Sequence, residues 1–215
     1  MSFLNQLKSQ ANALKSEQSV AARNLEESSA QTEDASRFAL QYLFDLAHHL
    51  NVIAPRGPRF SLDEKTPWPA MKLIEFRVDS RKKMLRDREV FDYFAIGWRV
   101  VPQVGQPIGG SVSVNFPPDL QRVESRLAMG PVKHERKELR HPEKNTLLAL
   151  QFDYLTETRG NVVVTANHDK AELAFRLMNA SGFGIVNTTW PAARIRAEVM
   201  DELAKLIVGE PHRFA

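Results

Sequence analysis

NVVVTANHDKAELAFRLMNASGFGIVNTTWPAARIRAEVMDELAKLIVG, residues 161–209, is the stretch whose reading decides the fold. The apolar run Val162-Val163-Val164 predicts a strand, and Asp169 to Ala180 carries apolar residues at helical spacing. Gly182 interrupts that pattern, Phe183 to Asn187 predicts a second strand, and Pro191 to Val208 predicts a second helix stopped by Gly209. The expectation is a C-terminal β-α-β-α unit.

Working back from there, Leu147 to Thr156 predicts a strand with Leu148, Leu150, Phe152 and Tyr154 on one face. Thr158-Arg159-Gly160-Asn161 reads as the turn of an antiparallel hairpin leading to Val162. Val132 to Pro142 is charged throughout, which suits an exposed edge strand. Pro117-Pro118-Asp119 opens a short helix with Leu120, Val123 and Leu127 on one face and Gly130-Pro131 at its end. Ser111 to Phe116 is a short strand. Val90 to Val101 is apolar on both faces and reads as a central strand. Ile74, Phe76 and Val78 alternate with charged residues as in a half-buried strand. Residues 54–70, with four prolines, read as a linker.

The fold class is therefore α+β, with a mixed, mainly antiparallel sheet, the C-terminal β-α-β-α unit and an N-terminal helical extension. The expected core holds Phe94, Ile96, Trp98, Phe152, Val164, Leu177, Ile185 and Leu203.

The extension has its own signal. Leu4, Leu7, Ala11, Leu14, Gln18, Ala21 and Leu25 alternate spacings of three and four, a heptad seam thinned by alanine and glutamine. After Ser28-Ser29 a second, more apolar helix is expected from an N-cap at Thr32, with Phe38, Tyr42, Leu43, Phe44 and Leu50 packing on the main domain. The division is residues 1–31 as a coiled-coil-like helix and 32–215 as one α+β domain. The first helix either folds back on its own chain or meets another.

Composition excludes several chemistries. The 215-residue chain has no cysteine, so disulfides, thiolate metal sites and cysteine nucleophiles are out. The first residues form no secretory signal and no apolar run spans a bilayer, so the expected location is cytoplasmic. Net charge is +3, with the basic excess after Pro55, far from a committed nucleic-acid binder. No Walker, Rossmann, nucleophile-elbow or zincin motif occurs; no cofactor and no metal site are expected. His48 and His49, adjacent on a helix, point about 100° apart and cannot chelate one ion together. Asp153 is the best single carboxylate for chemistry, though its strand parity turns it toward solvent.

Two clusters remain as candidate sites. If the strands at 162–166 and 183–187 lie parallel, a right-handed crossover brings their ends together. Asn167, His168, Asn187 and Thr188 would then line an anion-binding space beneath two helix N-termini, where Asp169 and Thr189 act as caps. Arg81, Lys82, Lys83, Arg86 and Arg88 could contact a polyanion from a hairpin end. The sequence reads as a non-enzymatic interaction protein that self-associates, or meets a protein partner, through residues 1–28. The alternatives are an anionic-ligand site or enzyme at the strand ends, and non-specific nucleic-acid binding.

Overall fold

A computed structural model describes residues 3–215, the side chain of Leu4 aside, so this first seam position lies outside the described residues. The chain runs α1 (Phe3–Ile53), β1 (Met71–Leu85), β2 (Arg88–Pro102), β3 (Gly109–Val114), α2 (Pro117–Met129), β4 (His134–Arg140), β5 (Leu147–Leu155), β6 (Thr158–Asn167), β7 (Glu172–Met178), β8 (Ile185–Pro191) and α3 (Ala197–Val208). It is α+β, and all strand pairs are antiparallel: β1-β2-β6-β7-β8 form one sheet and β3-β5-β4 a second.

The expected β-α-β-α unit is corrected to three strands and a helix. Asp169 to Ala171 is a turn, and the segment read as a helix is β7, where Leu173, Phe175 and Leu177 are buried while Ala174 and Arg176 are exposed. Burial at every second residue is the pattern of a strand with one wet face. Alanines at 171 and 174 with Leu177 imitate helical spacing in so short a run. The expected hairpin at Thr158–Asn161 is also absent. Those residues already belong to β6, and the chain leaves one sheet for the other at Thr156 and Glu157. The C-terminal helix begins at Ala197 rather than Pro191, after a single 3-10 turn at Ala192–Arg194.

One face of the five-stranded sheet carries the core. Phe94, Ile96 and Trp98 of β2 pair with Val164, Val162 and Gly160 of β6, and Phe175 and Leu177 continue the rows on β7. Ile185, expected inside, is 42 % exposed because β8 ends the sheet there. In β1 a bulge between Ile74 and Arg77, with Glu75 at φ 55°, reverses which parity faces inward: Leu73 is buried before it and Phe76 after it.

The helix α1 is continuous through Ser28-Ser29, where a break was expected, and Thr32 caps nothing; its hydroxyl donates to the Ser28 carbonyl at 2.8 Å. No glycine or proline stands there to stop the helix. The packed half lies on the sheet through Ala35, Ala39, Leu43, Ala47 and Leu50, while Phe38 and Phe44 face outward. Small residues at the contact let a helix approach a sheet closely, and the phenylalanines would hold it off. The Tyr42 hydroxyl donates to Asp201 Oδ1 at 2.6 Å, tying α1 to α3; burial, with that carboxylate beside it, raises the phenol above its usual range.

Residues 54–70 are no loose linker. Phe60, Leu62 and Trp68 are buried, and Phe60, Trp68, Tyr154 and Phe183 form an aromatic cluster joining the two sheets. No helix among the described residues is long and apolar enough to cross a membrane.

Candidate functional site

The β1–β2 hairpin outruns the sheet. Pairing of β2 with β6 begins at Tyr93↔Thr165, so Phe91, though opposite Lys82 of β1, lies past the end of its other neighbour and on that side its peptide groups have no strand to bond. A buried backbone group without a partner costs free energy comparable to a lost hydrogen bond. Two side chains take the place of the strand. Glu33 of α1 accepts the Phe91 N–H at 2.6 Å, and His168, just after β6, donates from Nε2 to the Phe91 carbonyl at 2.7 Å. A carbonyl only accepts, which sets the Nε2–H tautomer and leaves Nδ1 as acceptor for the Ser29 hydroxyl at 3.4 Å. His168 is buried and engaged at both nitrogens; it joins helix, hairpin and turn.

The same junction collects part of the basic cluster. Arg86 and Asp87, both at positive φ (48° and 62°), make the two-residue hairpin turn that matches strand twist. Arg86 there pairs with Asp169, next to His168. Between the hairpin tip and α1 is a small cleft of about 130 Å³ lined by Glu26, Ser29, Glu33, Arg86, Arg88 and Glu89 among others. Its charges are mixed. Lys82 pairs with Glu89 at 3.1 Å and Lys83 with Asp92 at 2.9 Å. Of the five candidate cations only Arg81 and Arg88 lack an ion pair among the described residues.

The two halves of the expected anion site are not brought together. Asn167 pairs with Glu172 at one end of β7, whereas Asn187 and Thr188 pair with Arg176 and Phe175, about four residues or 13 Å along the same strand. Among the described residues no crossover helix links β6 to β8, so the two helix starts expected at these pairs are missing, and Asp169 and Thr189 cap nothing. Asn167 instead accepts the Lys170 N–H within its own turn, at 3.2 Å. Asp153 hydrogen-bonds Lys137 at 2.8 Å, and that ammonium, with Gln151 and Ser111, holds its carboxyl down at about 2. A carboxyl so low stays ionised near neutrality and is no general acid there.

Comparison with family models, with curated proteins and with solved structures finds no match. Among the described residues no group of three His, Asp or Glu side chains is set to hold a metal ion.

What stands out instead is the first half of α1. Residues 5–24 are exposed on every side, including Leu7 at 45 %, Leu14 at 58 % and Val20 at 55 %. The seam positions Ala11, Leu14, Gln18 and Ala21 are all uncovered. Continued at the same spacing, the seam reaches Ser28, Thr32, Ala35 and Ala39, of which the last three are buried on the sheet. The projecting half thus presents a stripe in phase with the one its other half buries. Glu33 and Ser29, which complete the junction, carried no signal in sequence, since their partners lie 58 and 139 residues on.

Proposed function

We propose that the protein is a non-enzymatic assembly module that self-associates through the projecting half of α1. The observation that supports this reading is the uncovered seam on a helix of some twenty exposed residues, about 30 Å long. Extending a helix is nearly neutral per residue, and helical stability in proteins comes mostly from packing an apolar face, which this half does not do within its own chain. A second copy supplies an identical seam. Covering a leucine side chain contributes roughly 1.5–3 kcal/mol, so Leu7 and Leu14 are the strongest contributors, while Gln18 in the seam favours one register at a cost in strength.

Leu7→Glu with Leu14→Glu tests it in the full chain. Light scattering should show the wild type above monomer mass and the double variant reduced in mass, with thermal unfolding of the sheet domain unchanged. Equal masses for the two proteins would return the helix to a role within one chain.

A further inference from the structure

The five-stranded sheet has two edges, and they are treated differently. Along β1 the edge is occupied: Pro55 accepts the Leu73 N–H at 2.8 Å, Gly57 donates to Met71 at 2.9 Å, and the Asn51 amide both accepts from and donates to Phe76. Beyond the Glu75 bulge the strand carries Arg77, Asp79, Arg81, Lys82 and Lys83. Cover, a bulge and charge are the devices by which sheets avoid edge pairing. The β8 edge, Ile185-Val-Asn-Thr-Thr-Trp-Pro191, has no charged residue and no bulge in its register with β7, leaves Ile185 and Val186 exposed, and carries only a proline at its last position.

The direction of its peptide groups follows from two bonds. Ala192 N–H donates to Ala171 and Asn179 N–H to Gly184, so in this register the even residues of β8 bond β7 and the odd ones face outward. Ile185, Asn187 and Thr189 therefore aim both N–H and C=O at open space. Pro191, also odd, has no N–H: its absence costs β7 nothing, and in an outward pairing Pro191 can only accept.

We infer that β8 pairs antiparallel with β8 of a second copy across a two-fold axis at Thr188, joining two sheets into one of ten strands. A two-fold interface must be self-complementary, and this strand is. With Thr188 opposite Thr188, the outward-bonding Asn187 meets Thr189 and Ile185 meets Pro191. Val186, 38 % exposed in one chain, meets Trp190 of the other, an aromatic–β-branched pair of the kind that stabilises antiparallel sheets. Being uncharged, the strand opposes no like charges. The pairing does not depend on α1.

The test uses the full chain carrying Leu7→Glu and Leu14→Glu, so that only the sheet edge is left to associate. Light scattering should give twice the monomer mass. Adding Thr188→Lys, or Thr188→Glu, sets like charges against each other on the axis and should give monomers. Mixing the two variants sets opposite charges face to face and should restore the dimer. Should a charged variant fail to fold, Thr189→Pro removes an outward N–H and no bond to β7, and is expected to be monomeric and folded. A monomeric parent, or a dimer that survives both charged substitutions, overturns the inference.

Discussion

Replacing His168 by alanine tests the junction at the end of β6. The substitution removes the donor to the Phe91 carbonyl, a 2.7 Å bond in a buried setting, and leaves that oxygen without a partner. An unsatisfied buried acceptor costs about 1–3 kcal/mol, and the void left by an imidazole 3 % exposed adds roughly another 1 kcal/mol. The expected loss is about 2–4 kcal/mol. With a urea slope of about 2–3 kcal/mol/M, the unfolding midpoint falls by roughly 1–2 M. His168→Gln, whose amide can still donate, should recover part of the loss. Glu33→Ala removes the other bond to the same residue. The double variant should lose less than the two single losses added, because neighbours that share a partner couple. A His168→Ala cost under about 0.5 kcal/mol, the range of ordinary surface changes, would refute the assignment of a structural role and reopen His168 as a group free for chemistry.

Three further outcomes are expected. A methyl group on Gly160 would overlap the indole of Trp98 across the strand pair, so Gly160→Ala should destabilise by about 1–3 kcal/mol. In Gly97→Ala the nearest atom outside the chain neighbours lies 3.8 Å away, and the change should be neutral or slightly stabilising in thermal melts. Asp153 is depressed from 3.8 to about 2 by Lys137, Gln151 and Ser111. Its contribution is present above the unfolded value and is lost as pH falls through the folded one. Asp153→Asn should therefore flatten the loss of stability between about pH 4 and 2 and leave its pH dependence near neutrality unchanged, as measured by urea titration across that range.

The sequence carried the sheet domain well where burial is one-sided or complete. The apolar run of β2, the charged edge of β4 and the Pro-Pro start of α2 each correspond to a single physical demand, and all three are where they were expected. It failed where two periods fit the same letters. Residues 169–180 hold good helix formers, yet strand pairing on both sides of β7 outweighs propensity. From that error came the supposed anion site, whose four residues depended on a crossover the chain does not make. Nor could the junction be read from sequence, since it needs Glu33, Phe91 and His168, three residues linked only by the folded topology.

The continuity of α1 also has a kinetic meaning. Starting a helix is the unfavourable step, and extending one is nearly neutral per residue. Because residues 32–50 are held helical by the sheet, the projecting half never has to nucleate; it grows from a fixed seed and melts from its far end. Amide exchange should therefore slow steadily from Phe3 toward Leu25 instead of changing at one boundary. A partner that grips only the first two turns would protect every amide behind it, turning a contact at the tip into order along the whole arm.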